Sequence, residues 1–344
     1  MCNSLDMDYA RIASDFLRVL RGKRSQTAFS RRLGYRSNVS HHWEHGLSWP
    51  TAAKALWCAE RLGVDVRQAF RDFYRVPPRW LEEYDPITPQ GVAAFLRDLK
   101  GHTSVVALAR DSKKSRFSIA RWLGGSSEPK LPEFLLMVEC CSLRLLDFLE
   151  QLVDPRKLPS VSEQYKELQV ARSLAYDEPW SQAVLRALEL ETYRCLPKHR
   201  YGWIAQTVGI TPRDETRCLR RLADSRQIEW KDERWQLRSV MALDTRRDPE
   251  AARKLRAWWV RQSASRIEAG CRGLSYNLFG VSATDLERLR ELQKAYLNEV
   301  RTIIARSEPV ERVVLGVDLL LDLGERPSFV VGGPTPTRLE DKPR

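Results

Sequence analysis

One stretch of this 344-residue chain occurs twice: residues 16–62 align without a gap on 95–141, a shift of 79. More than a quarter of the aligned positions are identical, several times what unrelated sequences give. The identities include Phe16/Phe95, Leu17/Leu96, Leu20/Leu99, Gly22/Gly101, Ser25/Ser104, Ala28/Ala107, Trp43/Trp122, Gly46/Gly125 and Pro50/Pro129. Apolar, capping and turn residues are what a repeated fold must keep, so the chain is expected to hold two small units of one kind. The first spans residues 1–76 and the second 87–153, with Pro77, Pro78 and Pro86 in the linker between them.

The first copy reads as five helices. Ile12, Phe16, Leu17 and Leu20 share one face of a helix over Asp8–Arg21, which Gly22 ends. Ser25 is placed to cap a second helix, Gln26–Leu33, and Gly34 supplies a tight turn. A third follows over Ser37–His45, closed by Gly46. Pro50 and Thr51 open a fourth with Ala52, Ala55, Leu56 and Ala59 inward, and a fifth covers Asp65–Tyr74. Two short helices joined by a turn within such a bundle are how a helix-turn-helix offers its second helix to the major groove.

Ser25-Gln-Thr-Ala-Phe-Ser-Arg-Arg-Leu-Gly34, followed by Trp43-Glu-His-Gly46 and Pro50, resembles the Cro/C1-type (XRE) helix-turn-helix family. The resemblance implies that Gln26 and Arg36 clamp backbone phosphates and that Ser37, Asn38, His41 and His42 face base edges. It also implies double-stranded DNA as the partner. This chain departs from the family at Ser40, where an apolar residue is usual. That departure implies a recognition helix rotated slightly about its axis.

Charge points the same way. Residues 1–80 hold 14 Lys/Arg and 7 Asp/Glu, a net of +7, whereas 81–160 hold 11 of each. The remaining 161–344 carry 32 basic and 27 acidic residues. No acid lies between Asp15 and Glu44, while Arg18, Arg21, Lys23, Arg24, Arg31, Arg32 and Arg36 do. A charge run is often just a solvated face, but one this one-sided suits the sequence-independent attraction of phosphate. Asn38 has the amide geometry to pair with adenine, and the histidines can bond to base edges.

In the second copy Ile119 restores the apolar residue that Ser40 replaces. Its expected recognition helix, Ser115–Trp122, carries Arg116 and Arg121 behind Lys113 and Lys114. Val105 stands where the first copy has Gln26. Two readings stand side by side: a second half-site reader about one helical turn from the first, or a degenerate copy that only packs as a pseudo-dimer partner.

Beyond the repeats, 156–176 read as a mixed, partly helical connector and Glu178–Arg194 as an amphipathic helix. Over 160–240 the order becomes that of a winged helix: a helix at 201–210, Thr211 capping a helix begun by Pro212, then a hairpin around Lys231–Arg234. Asp214 and Glu215 fall where phosphate would be met, beside Arg213, Arg217, Arg220 and Arg221, so this unit is read as structural or dimerising. In a last unit, 241–324, a helix runs over Asp248–Glu268 and a strand is expected at Leu274–Val281. Ser282 caps a long helix over Ala283–Arg306, and Val310–Leu323 reads as a strand, although such a run is ambiguous with helix. This order resembles an uncharacterised C-terminal domain of deltaproteobacterial-type regulators, which implies dimerisation or signal sensing. Residues 325–344, with four prolines, read as a disordered tail. Six of the eleven tryptophans lie between Trp180 and Trp259, where core packing or a sensor pocket would use them.

The expected fold class is therefore mainly α: two tandem five-helix helix-turn-helix bundles, then a winged helix and an α+β C-terminal domain. Seven cysteines without a C-x-x-C pair read as free thiols in a reducing cytoplasm. His41 and His45 have i,i+4 spacing, but no further ligand completes a metal site. No phosphate loop, nucleophile elbow or cofactor motif occurs, so neither an enzyme nor a cofactor is expected. No apolar run is long enough for a spanning helix, and no secretory leader is visible at residues 1–11. The expectation is a cytoplasmic, DNA-binding, homodimeric transcription regulator, with a possible effector or protein partner. The alternative is a protein-interaction scaffold, antitoxin-like or anti-sigma, with vestigial helix-turn-helix units.

Overall fold

The computed structural model describes residues 7–74, 77–238, 243–245, 247–271, 277–304, 307 and 310–321. The expected tail at 325–344 lies outside them. Eighteen α-helices and one two-stranded sheet make the described chain mainly helical.

Local chemistry sets the first helices. Asp8 caps α1 (Tyr9–Arg21), Ser25 caps α2 (Gln26–Arg32), and Thr51 caps α4 (Ala52–Arg61), each side chain accepting a backbone N–H of the first turn. Asp65 does the same for α5 (Val66–Phe73). Gly22, Gly34 and Gly46 all take positive φ at the turns. The third helix, α3, is shorter than expected, Val39–Glu44. Asn38 is its cap, so Ser37 and Asn38 lie before the helix rather than in it. After a short α6 (Trp80–Glu83), the second copy follows as α7 (Pro89–Lys100), α8 (Val105–Ser112), α9 (Arg116–Gly124), α10 (Leu131–Ser142) and α11 (Leu145–Leu152).

The two copies are built around one core, which runs unbroken from Met7 to Leu168. Its centre is a knot of aromatic rings. Phe70 and Phe73 from α5 meet Phe95 from α7 and Phe148 from α11, with ring centroids 4.7–6.0 Å apart, and Trp80 of the linker joins them. Copy packs on copy through α1 with α10, α4 with α7, and α5 with α11. A single antiparallel bridge, Thr51 to Lys130, ties the segments that lead into α4 and α10. There the Ala52 N–H donates to the Pro129 carbonyl and the Leu131 N–H to the Pro50 carbonyl, both at 2.9 Å.

The region expected to be a mixed connector is a 16-residue helix, α12 (Ser162–Asp177). Tyr165 and Leu168 at its start belong to the N-terminal core and Leu174 near its end to a second core. Arg172, buried in its middle, donates to Asp147 on α11 at 2.6 Å. The second core gathers α13 (Trp180–Glu189), α14 (Glu191–Arg194), α15 (Trp203–Val208), α16 (Pro212–Asp224) and strand β1 (Ile228–Lys231), with β2 (Arg234–Leu237) against it. The hairpin pairs Ile228 with Leu237 and turns through Asp232 and Glu233, both with positive φ, as a two-residue type I′ loop requires.

Two helices follow, α17 (Pro249–Glu268) and α18 (Ala283–Ile304), the latter capped by Ser282 as expected. The strands expected around them do not form. Residues 277–281 have no regular structure, and the start of that run, 274–276, lies outside the described residues. Among the described residues Val310 to Leu321 is also without a strand, and the Glu191 N–H donates to the Val310 carbonyl at 2.9 Å. An apolar run needs a neighbouring strand to become one, and in the described sheet β1 and β2 pair only with each other.

Candidate nucleic-acid interface

The helix expected to read DNA in the first copy, α3, rests on a buried carboxylate. Glu44 is only 4% exposed. The Arg21 Nε donates to its Oε1 at 2.6 Å and Arg21 Nη2 to its Oε2 at 3.1 Å. The Gln26 amide donates to Oε2 at 3.0 Å and the Ser40 hydroxyl to Oε1 at 2.7 Å. Burial pushes the Glu44 carboxyl up, but these hydrogen bonds and the Arg21 charge outweigh it and hold the group below its usual range. The departure at Ser40 thus has a local cause. A hydroxyl, not an apolar side chain, is what a carboxylate one turn further along the helix requires.

This network relocates Gln26. Its amide proton points inward to Glu44 rather than to solvent, while Arg24 and Arg36 are exposed. Ser37, Asn38, His41 and His42 are all exposed along the outer edge of α3 and its lead-in. Asn38 has a second duty, since its Oδ1 accepts the Ser30 hydroxyl at 3.3 Å and the His41 N–H at 3.4 Å. His41 stacks on His45 at 4.2 Å, and the His45 Nδ1 sits 2.7 Å from the His41 carbonyl. Among the described residues no three His, Cys, Asp or Glu side chains stand close enough to hold a metal ion.

In the second copy, Ser115 caps α9, whose first residue is Arg116. Arg116 and Arg121 are exposed, and between them Phe117 is 82% exposed. Lys113 forms the turn before α9 in a left-handed conformation, φ 54°, at the register of Gly34. Lys114 is drawn toward the body by Glu133, 3.4 Å away. Beneath α9 there is no carboxylate: Ile119 and Leu123, both buried, take the register of Ser40 and Glu44. That Arg21, Ser40 and Glu44 seat the one helix and Ile119 and Leu123 the other was not read from sequence, although Ser40 and Ile119 stood out there as a departure from the family and its reversal.

In the C-terminal half, the acids that counted against phosphate binding are accounted for. Glu215 is fully buried and accepts the Gly202 N–H at 3.2 Å and the Ala205 N–H at 2.6 Å, so it caps α15 from the neighbouring helix. Asp214 accepts the Thr211 hydroxyl at 2.8 Å and pairs with Arg217 at 2.7 Å. Arg213 and Arg220 face outward on α16. The tryptophans pack on one another: Trp180, Trp258 and Trp259 meet edge to face at 4.7–5.6 Å, and Trp230 faces Trp235 across the hairpin at 5.1 Å. Burial pushes the thiols of Cys58 and Cys218 up to about 12 and about 11, which marks both as inert core groups.

Residues 161–320 are similar to the family described as domain of unknown function DUF4423, a match to just under half of the chain that begins with α12. Comparison with curated proteins and with solved structures gives no match. Among the described residues no helix is long and apolar enough to cross a membrane.

Proposed function

We propose that this chain is a DNA-binding transcription regulator that reads its operator through an N-terminal helix-turn-helix formed by α2 and α3. The observation that carries this reading is that Asn38, which caps α3, and His41 and His42 on it are exposed together with Lys23, Arg24, Arg31, Arg32 and Arg36, in a stretch of sequence with no acid between Asp15 and Glu44. Hydrogen-bonding side chains on a rigidly seated helix specify bases, and surrounding cations hold phosphates. The Glu44 network supports this because it fixes α3 on its bundle without using the outer face. The order α13, α15, α16, β1 and β2 supports a winged helix in the C-terminal half. Exposed Leu292, Tyr296 and Ile303 on α18 support dimerisation or effector sensing there.

A mobility-shift series on genomic fragments tests the proposal. Specific shifts are expected, with log affinity falling linearly against log salt. No shift with any fragment at low salt sinks the reading and leaves the protein-scaffold alternative, for which a stoichiometric protein partner is the expected finding. His42→Ala should reduce specific binding and leave non-specific binding in place.

A further inference from the structure

The contacts between the two copies are reciprocal. A shift of 79 converts Pro50 into Pro129 and Ala52 into Leu131, so the two hydrogen bonds at the bridge exchange with each other. The same shift converts the α1–α10 contact into α7–α4 and returns α5–α11 to itself. Contacts of this form, i on j′ and j on i′, define a twofold, isologous interface, here within one chain. Rotation about a twofold axis leaves position along that axis unchanged. Helices α3 and α9, which the rotation exchanges, therefore stand at the same height along the axis, and their outer faces make the same angle with it. Their reach is bounded as well. Seven residues join Glu44 to Thr51 at the axis and six join Gly124 to Lys130, at most about 25 Å and about 21 Å fully extended. A separation of roughly 34 Å, one turn of DNA, lies within the sum.

We infer that one chain is a complete pair of DNA readers and that its operator is a single site of two unlike half-sites, bound one chain per operator. This rests on the DNA-binding reading above. The half-sites are unlike because the outer faces differ at every matched position. Ser37, Asn38, His41 and His42 on the first reader correspond to Arg116, Phe117, Ala120 and Arg121 on the second. Arginine is the side chain suited to guanine O6 and N7, and an exposed phenyl ring suits a thymine methyl, so the second half-site is rich in G and T contacts.

The phosphate grip is unequal in the opposite sense. Lys23, Arg24, Arg31, Arg32 and Arg36 become His102, Thr103, Arg110, Asp111 and Ser115, and Arg110 is itself paired with Asp111 at 3.0 Å. The first reader thus supplies most of the salt-dependent attraction and the second supplies charged base contacts. The helices that would join two separate chains, α5 and α11, are already spent on each other, with Phe70, Phe95 and Phe148 fully buried between them. The readers need no association step, and a C-terminal dimer would hold two operators, still one chain to each.

Selection of bound duplexes from a randomised library by the full-length protein, followed by footprinting and light scattering of the complex, decides the matter. One chain per operator is expected, with two protected patches about a turn apart and no palindrome between them. His42→Ala should relax one patch and Arg121→Ala the other, each by about tenfold or more at the contacted bases. Both side chains are exposed, so loss of fold is not the expected cause, and Arg121→Gln repeats the test with a longer neutral side chain. A palindromic site carrying two chains overturns the inference. So does a footprint of one patch, or Arg121 variants that bind and discriminate as wild type, as they would if α9 met a protein instead. Failure to select any DNA overturns the DNA-binding reading itself.

Discussion

Beneath α3 and α9 the two copies place different chemistry at the same register. The first has Arg21, Gln26, Ser40 and Glu44; the second has Lys100, Val105, Ile119 and Leu123. What they share is a tether to the backbone. Arg18 donates to the Glu44 carbonyl at 3.2 Å, and Arg97, its counterpart, to the Leu123 carbonyl at 2.7 Å. A bond to a main-chain oxygen does not care which side chain that residue carries, so it survives when the filling beneath the helix changes. The filling differs in its tolerance. An apolar contact weakens in proportion to what is removed, whereas a buried carboxylate depends on all its donors at once.

The comparison itself fails first if the shared core fails. Phe95→Ala removes a fully buried ring that touches Phe70, Phe73, Phe134 and Phe148. The expected loss is about 3–5 kcal/mol. Urea unfolding should show α1–α11 lost in one transition; retention of one copy's helices while the other melts would mean two separate cores.

Next in size is the carboxylate. Glu44→Ala should cost about 3 kcal/mol, because it leaves Arg21, Gln26 and Ser40 without their acceptor. Grafting the second copy's solution, Ser40→Ile with Glu44→Leu, should return stability to within about 1 kcal/mol of wild type, since Arg21 can turn to solvent. If the double variant is as unstable as Glu44→Ala, the two fillings are not interchangeable.

The local layer of the fold was legible in the sequence. Ser25, Thr51 and Ser104 cap, and Gly22, Gly34 and Gly46 turn, because those choices are made within four residues. What was not legible depends on residues far apart. Nothing in α5 announces that it pairs with α11, so packing of the two copies on each other was one of two open readings until the shared core was seen. Glu215 reads as a surface acid beside Asp214 until α15 is seen to rest its N-terminus on it. Val310–Leu321 has a strand's composition but, among the described residues, pairs with no strand. At the candidate site, the exposed Arg36, His41, His42, Arg116 and Arg121 were legible from the motif, whereas the inward amide of Gln26 and the capping role of Asn38 required the fold.

Acid should separate Glu44 from Glu139, a buried carboxyl of the second copy. Glu44 is held low, so its contribution is complete above the unfolded value of about 4.3 and is lost as pH falls through the folded one. Glu139 is raised, chiefly by burial, although its Oε2 accepts the Leu145 N–H at 3.0 Å. Its ionisation opposes folding, and stability is lost as pH rises through its folded value. The gap between wild type and Ser40→Ile/Glu44→Leu should therefore move in the variant's favour on acidification below about pH 5, while any advantage of Glu139→Gln at pH 7 should shrink. Denaturant midpoints across pH 3.5–7 check both signs; parallel movement of the two would remove the distinction.

The smallest expected effect lies in the turn. Gly34 has φ 81° and Lys113, its counterpart, φ 54°. A side chain in the left-handed region costs about 1 kcal/mol, part of which glycine gives back through the greater entropy of its unfolded chain. Lys113→Gly should therefore stabilise by about 0.5 kcal/mol. Gly34→Lys should destabilise by about 1 kcal/mol, because a Cβ there meets nothing within 4 Å and only the backbone objects. A loss of several kcal/mol for Gly34→Lys would reveal packing that the open turn does not have. If the strained lysine is kept for its charge, Lys113→Gly should stabilise the protein and yet weaken its binding to every DNA sequence alike, lowering the salt slope by about one. Unchanged binding would leave the strain at Lys113 without a purpose at the interface.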